Sequence, residues 1–329
     1  MTRSSIEFGL LLHTRHLVRG DHGAAALDEF WQTARHAEAA GFDHLWVGDS
    51  PRISLLDRAH ADCLTIMAAL AAQTRSIRIG AVPLIAALRN PVLLAHQLAT
   101  LDVISAGRIL FGVSVAPQYK HAEFEFEACG VPFKQRAGRL DESIRVMRRL
   151  WTEESFSFAG KYYRFPEIGI QPKPVQRPIP IFVAAGDNEN ALRRVARLGD
   201  GWFTVAPTLE KYAARRKKIN GFARKAGREV KDLPSALFAT FHLQTEAERA
   251  EKEGWTLAES YFRQPRSALP HLSPFFDTPE SCAQKLQSYV DDGLTSVVAR
   301  FVSPDVAGQT RLLLNEVRPR LRPKMKAER

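Results

Sequence analysis

From Ile6 to Leu321 the chain alternates short apolar runs with stretches of helical period, and this alternation restricts its fold more than any other feature. Strands that are apolar on both faces must be covered on both sides, which a parallel sheet flanked by crossover helices achieves. Ile6 to His13 reads as the first strand, followed by a helix over Ala24 to Ala40 that stops at Gly41, a residue suited to a helix C-terminus. Asp43 to Asp49, Ile77 to Val82 and Arg108 to Ser114 read as strands two to four. Helices over Ala59 to Gln73 and Pro91 to Ile104 separate them, the second with proline in its first turn.

The rhythm breaks after strand four. Ala116 to Arg136 has weak periodicity, with Pro117, Gly130 and Pro132, and is expected to be a loop or lid. Leu140, Ile144, Met147 and Trp151 mark a helix, Phe156 to Phe165 a hairpin turning at Ala159-Gly160, and Gln171 to Pro180 an extended connector. Ile179 to Ala185, Gly201 to Val205, Ser235 to Leu243 and Thr295 to Val302 supply strands five to eight. Helices over Asp187 to Leu198, Leu209 to Ala226 and Val306 to Leu321 follow the fifth, sixth and eighth, and a long helical insertion fills Thr245 to Asp292. Eight such units predict an α/β fold, a (β/α)8 TIM barrel with loop and helical insertions, as one domain over residues 1–329. The insertions fall around 116–137, 152–178 and 245–292. The rival, a doubly wound open sheet, calls for a glycine-rich phosphate loop after the first strand, and Leu11 to His16 contains no G-x-G-x-x-G.

Lysine and arginine outnumber the acids by 46 to 36. The excess is spread along the chain, apart from a basic tail from Arg318 to Arg329 and a run at Arg215, Arg216, Lys217 and Lys218 that reads as the solvated face of a helix. No aromatic residues interleave with the run as stacking platforms, so a nucleic-acid partner is not expected, whereas an anionic ligand such as a phosphate is favoured. Three scattered cysteines, Cys63, Cys129 and Cys282, offer neither a disulfide framework nor a metal motif and suit a reducing cytoplasm. No apolar segment reaches the length of a membrane span.

Active sites in such barrels gather at the carboxyl ends of the strands, here His13, Asp49, Val82, Ser114, Gly186, Thr204, His242 and Arg300. His13, followed by Arg15 and His16, is a proton donor or anion contact, or else a structural histidine. The H-x-x-H spacing sets His13 and His16 on opposite sides of an extended strand, so no metal is expected. Asp49, before Ser50-Pro51, either accepts hydrogen bonds from a ligand or caps its own turn. Ala185, Gly186, Asp187 and Asn188 join strand five to its helix, where free N–H groups and the helix dipole suit a phosphate, provided Asp187 turns away. The same residues also make an ordinary N-cap.

Three stretches carry a resemblance. Gly41-Phe-Asp-His-Leu-Trp-Val-Gly-Asp49, Ala69-Leu-Ala-Ala-Gln-Thr-Arg-Ser-Ile-Arg-Ile-Gly80, and the segment from Arg89 to Arg108 with Gln97, Leu101, Asp102, Ser105, Gly107 and Arg108 resemble the bacterial luciferase-like monooxygenases. Arg193 to Trp202 is similar to the segment before that family's sixth strand; the likeness runs from Ile6 to Trp202 and more loosely beyond. It implies a barrel that binds reduced FMN or the 8-hydroxy-5-deazaflavin coenzyme in its mouth. In many members a non-proline cis peptide after strand three forms a bulge behind the ring, and Ala81-Val82 occupies that position. On this resemblance Asp49, Ala81, Val82, Ser114, Ala185, Gly186, Asp187 and Asn188 contact the cofactor, and His13 and Asp49 are the catalytic candidates. Asp49-Ser50 replaces the Asp-His of many deazaflavin members, and Val113-Ser114-Val115-Ala116 replaces a Gly-x-Gly, which argues against a sugar-phosphate dehydrogenase.

The resulting expectation is a flavin-dependent oxidoreductase, a monooxygenase using reduced FMN and oxygen on a small organic substrate. Deazaflavin-dependent hydride transfer and flavin binding without catalysis are the alternatives. A separate flavin reductase is expected, because no dinucleotide fingerprint appears, and so is a homo-oligomer, since relatives often pair through barrel helices.

Overall fold

The computed structural model describes residues 6–14, 17, 24–49, 60–229 and 233–323. Arg15, His16, Ser50, Pro51, Ala59 and the tail beyond Pro323 lie outside the described residues. A closed parallel barrel is formed by β1 (Glu7–Leu12), β2 (His44–Val47), β3 (Arg78–Leu84), β4 (Ile109–Val113), β7 (Ile181–Ala184), β8 (Gly201–Thr204), β9 (Ser235–Leu243) and β11 (Ser296–Phe301). The ring closes through β8–β9 and β11–β1 pairing, so this is a TIM barrel. Around it run α1 (Ala24–Ala40), α2 (Cys63–Gln73), α3 (Pro91–Ile104), α5 (Arg136–Thr152), α6 (Glu189–Leu198), α7 (Leu209–Lys225), α9 (Pro279–Asp291) and α10 (Val306–Leu312). The hairpin is β5 (Phe156–Ala159) with β6 (Arg164–Ile168), and it turns over residues 160–163 rather than at Ala159-Gly160.

Alternation along the strands divides the interior. Phe8, Leu10, Leu12, Leu45, Val47, Phe111 and Val113 point outward and pack with helix residues such as Met67, Leu98, Ile144 and Leu192 in the main core. Leu11, Trp46, Val82, Leu110, Phe203, Ala236 and Val298 fill the lumen as a separate cluster. Trp46 dictates its neighbours there: a Cβ on Gly80 would lie 2.5 Å from its ring. The indole N–H donates to His44 Nδ1 at 2.6 Å, which leaves His44 Nε2 to donate to Ser296 Oγ at 2.8 Å.

The motif segment from Gln97 to Arg108 works at the opposite end from the strand termini. Asp102, fully buried, accepts from the backbone and side-chain amides of Gln176 at 2.8 and 2.7 Å. Arg108 donates to Thr74 Oγ1 and to the carbonyls of Ala71, Ile77 and Ser105, joining α2, β3 and α3.

Three expectations need correction. Residues 116–136 are not a plain loop: they carry α4 (Lys120–Ala128) and a 3-10 turn at Phe133–Gln135, packed through Ala122, Phe126 and Val131 on Ile85 and Ala87. Charged residues blur the periodicity of α4, and no side chain caps its start. Residues 245–292 hold not only α8 (Ala247–Phe262) but also a ninth parallel strand, β10 (Pro274–Asp277), paired with Thr240 to Leu243 above the point where β8 stops. The Ala81–Val82 peptide is trans, since the cis bonds among the described residues are Gln171–Pro172 and Arg177–Pro178. A bulge exists there all the same: Ala81 pairs with Phe111 and Leu84 with Val113, so β3 carries one extra residue, next to Pro83, which has no N–H to leave unpaired.

Candidate active site

The lumen cluster has an open upper side. Phe182, Ala184 and Phe238 pack on it while remaining half-buried, so the barrel mouth has an apolar floor. At β3 the floor meets the bulge, whose Ala81 carbonyl lies 2.5 Å from where a Cβ would stand on Gly112, so only glycine fits there. Val82 belongs to the floor, whereas Ala81 is fully buried and presents backbone alone.

His13, at the end of β1, is half-buried. Its Nε2 lies 3.2 Å from the Phe301 carbonyl and its Nδ1 3.0 Å from the Tyr261 hydroxyl. A carbonyl can only accept, so in neutral His13 Nε2 carries the proton and Nδ1 accepts from Tyr261. Tyr261, on α8, was not found in the sequence because it sits in the insertion, far from any strand end. Arg300, 7% exposed, donates through Nε and Nη2 to Thr240 Oγ1 at 3.2 and 2.6 Å. Its guanidinium lies 4.6 Å from the ring centres of both Phe238 and Phe262. This stacking tolerates a buried cation beside an apolar floor.

Asp49 is engaged by the protein itself. Arg89 donates to both of its oxygens at 2.9 Å, and the Ile85 N–H donates to Oδ2 at 3.1 Å. The side chain of Asp49 is 3% exposed. Burial works against the charge on Arg89, but the hydrogen-bonded Asp49 outweighs it and raises the pKa of the guanidinium. Burial, and then the charge of Asp49, push the neighbouring Cys63 thiol well up. Ser114 Oγ accepts from the N–H of Ala116, which is held in the left-handed region at φ 65°. A side chain rarely adopts that conformation without support from its surroundings, and Ala116 packs under α4.

The loop 185–188 follows β7, two strands round the barrel from the bulge in β3. The Ala185 carbonyl accepts from Trp202 Nε1 and Thr204 Oγ1, both at 3.0 Å, which fixes the turn. Asn188 caps α6 by accepting from the Ala191 N–H at 3.0 Å. The N–H groups of Gly186, Asp187 and Asn188 donate to no acceptor among the described residues. Asp187 is turned toward α7 and accepts from Arg215 Nε at 2.8 Å. That hydrogen bond, against a small effect of burial, holds its carboxyl below the usual range. Arg215 therefore departs from the solvated face expected of its run: it is 6% exposed, while Lys217 and Lys218 face water. A period of helix turns Arg215 inward with Tyr212 and Ile219, and that phase was the one signal available in the sequence.

His13, Val82, Ser114 and the 185–188 loop thus lie at or near the carboxyl ends of β1, β3, β4 and β7, Val82 within the apolar floor, and Asp49 after β2 is held in an internal ion pair. Among the described residues no group of three or more His, Cys, Asp or Glu could hold a metal ion, and no helix is long and apolar enough to cross a membrane.

The family model for the luciferase-like monooxygenases matches residues 6–296. The chain belongs to the luciferase-like monooxygenase family. Within that family it is 35% identical over 178 residues to the FMNH2-dependent dimethylsulfone monooxygenase of Pseudomonas putida, covering 53% of this chain and 47% of that protein. The chain thus spans about half the length of that relative. It is 28% identical over 319 residues to the F420-dependent glucose-6-phosphate dehydrogenase of Kineococcus radiotolerans, covering 88% and 92%. Among solved structures, the monooxygenase RslO1 from Streptomyces bottropensis shares the fold with a TM-score of 0.80 at 23% identity, over 95% of this chain and 99% of that one. An F420-dependent secondary alcohol dehydrogenase does so with 0.78 at 20% identity, over 97% and 99%. Luciferase-like proteins of both cofactor classes therefore stand beside this chain.

Proposed function

We propose that this luciferase-like protein is an oxidoreductase that binds a reduced flavin-type coenzyme in the barrel mouth and turns it on a small organic molecule. The observation that carries this reading is the half-buried apolar floor of Phe182, Ala184 and Phe238, with the β3 bulge and, two strands further round the barrel, the donors of Gly186 to Asn188 after β7. An isoalloxazine-sized ring needs a flat apolar seat, and its phosphate tail needs N–H donors at a helix N-terminus. Val82, Ser114 and the backbone of Ala81 would hold the ring edge, and the loop Ala185 to Asn188 the phosphate. The bound coenzyme supplies the redox chemistry.

The chain's own part is to keep the mouth dry, orient the substrate and manage one proton. His13 and Tyr261, 3.0 Å apart, form the proton-handling pair, with Nδ1 ready to take the proton that the Tyr261 hydroxyl gives up or receives. Arg300 and the rings around it set the polarity of the substrate side. Asp49 acts as a positioning residue, holding Ile85 and Arg89 beside the bulge.

With FMN the enzyme is a monooxygenase, supplied by a separate reductase; with the deazaflavin it transfers hydride and ignores oxygen. The likeness to an F420-dependent dehydrogenase over 88% of this chain supports the second reading. Anaerobic titration with each reduced coenzyme, followed by an oxygen pulse and product analysis, separates them. Binding of neither overturns the site, and binding without turnover on any substrate leaves a non-catalytic flavin carrier. A homo-oligomer built on α3 completes the proposal, because Leu93, Val103 and Ile104 expose 65%, 42% and 57% of their surface there.

A further inference from the structure

Helix α8 crosses the rim of the barrel. Glu253 meets His242 near the end of β9, and Gly254 rests on Phe276 of β10. Phe262 packs against the guanidinium of Arg300 near the end of β11, and Tyr261 reaches His13 after β1. These strands lie in the order β10-β9-β11-β1. From Glu253 to Tyr261 the helix rises about 12 Å, and two steps between strands cover about 10 Å, so α8 is long enough to carry Tyr261 from one docking point to the other.

At the first of these points the contact is directional. His242 and Phe276 are register partners on β9 and β10, and consecutive residues of α8 sit on them. A Cβ on Gly254 would stand 2.4 Å from Phe276 Cγ, so the glycine admits the close approach. Beside it, His242 Nε2 lies 3.2 Å from Glu253 Oε2, which also accepts from Gln244 Nε2 at 2.9 Å, while Glu253 Oε1 accepts from Arg249 Nε at 2.8 Å. A carboxylate only accepts, so in the neutral ring Nε2 carries the proton and Nδ1 is bare. That nitrogen is buried without a hydrogen-bond partner among the described residues, in a residue 3% exposed. Stripping its lone pair of water costs more than a bond to the 38% exposed side chain of Glu253 returns, so His242 is a poor stabiliser. The middle of α8 packs through Ala258 on Leu269, Leu272 and Val302, and such apolar contact holds a helix down without fixing its rotation or slide.

We propose that His242 is a positioning residue: it sets the register of α8 across the rim and thereby places the Tyr261 hydroxyl against His13. The inference rests on the reading of Tyr261 and His13 as the proton-handling pair. The tie is directional where the rest of the helix seat is not, and it stands about two turns before Tyr261 on the same helix. A slip of one turn would carry the hydroxyl about 5 Å, beyond hydrogen-bond reach of His13 Nδ1. The bare Nδ1 is what the fold tolerates in order to present Nε2 to Glu253.

The test places a fluorinated tyrosine at position 261 alone and reads its fluorine NMR line in the full chain, with neither coenzyme nor substrate present. In the wild type the line should be displaced from that of the free amino acid and should move in His13→Ala. His242→Leu should bring it back toward the free amino acid and speed amide exchange over residues 254–262 about tenfold. The denaturation midpoint should hold or rise, because the bare nitrogen has gone. Glu253→Ala, at a partly exposed position, should loosen the helix in the same way without risk to the fold. His242→Gln keeps a donor for Glu253 and should restore the line. If the line stays put in both His242→Leu and Glu253→Ala, the placement is overturned. A midpoint that falls in step with the faster exchange also overturns it, since that marks a merely structural side chain. A wild-type line that ignores His13→Ala would mean that the pair does not form, and the fault then lies in the underlying reading of the mouth.

Discussion

Arg89 grips Asp49 through both carboxylate oxygens, each at 2.9 Å, and thereby ties the end of β2 to the residues that start α3. Asp49 is almost wholly shielded, so Arg89→Ala leaves a carboxylate in a dry site without its partner. The expected loss is about 3 kcal/mol in denaturant unfolding. The double variant Asp49→Ala/Arg89→Ala should recover part of it, because no orphaned charge remains. Additive losses would show that the two side chains act independently. Asp49→Ala alone should also weaken flavin binding, since Ile85 and the bulge lose their anchor.

Tyr261→Phe removes one hydroxyl from the His13 pair and leaves the ring. Flavin affinity should hold within about twofold while kcat falls about 100-fold, and the pH profile of kcat should lose one limb. An unchanged kcat would remove Tyr261 from proton handling.

Gly112→Ala places a methyl group 2.5 Å from the Ala81 carbonyl oxygen. The bulge has to move, at a cost of about 2 kcal/mol in stability. Riboflavin affinity should fall with it if the ring sits against the bulge, as proposed. A variant that loses stability but binds riboflavin like the wild type would separate the bulge from the site.

Glu38 bears on acid stability. Burial raises its pKa, but the N–H groups of Arg75, Ser76 and Ile77 and the Ser76 hydroxyl outweigh that and lower it overall. A carboxyl lowered in the folded state stabilises the fold above its ordinary unfolded pKa, and this is lost as pH falls through the folded value. Glu38→Ala should therefore cost about 1.5 kcal/mol near neutrality and almost nothing near pH 2 to 3. A difference that does not shrink in acid would exclude the charge as its source.

Leu93→Glu with Ile104→Glu places charges on the exposed face of α3. Light scattering should show a multimer in the wild type and a monomer in the variant, with melting of the isolated chain little changed. A wild-type monomer would dismiss α3 as an interface.

What the sequence disclosed followed the strength of its local signals. The helix α3 was bounded as observed because Asn90 caps it through the N–H groups of Val92 and Leu93 and Pro91 opens it. β9 was long and apolar enough to be bounded correctly at Ser235 and Leu243. β10 has four residues, two of them proline and aspartate, and is held as a strand only by its register on β9. Within the mouth, residues at strand ends were legible because barrel geometry fixes that end. Tyr261, Arg89 and Arg215 were not, because each arrives from a helix or turn whose angle of approach depends on packing between elements distant in sequence.

β10 also changes how the vessel is shaped. Near its base the wall closes β8 directly on β9 at Ser235 to Leu237, whereas at the rim β10 stands on the same side of β9, tied by Ser273 to the N–H of Ala206 and the carbonyl contact with Thr240. The circumference is therefore one strand larger at the top, about 4.8 Å of extra arc, and the barrel is a funnel rather than a cylinder. The widening falls beside Phe238 and Thr240. Lengthening or trimming the segment around β10 would resize the opening for bulkier or slimmer guests while the narrow base, and the fold it anchors, stayed as they are.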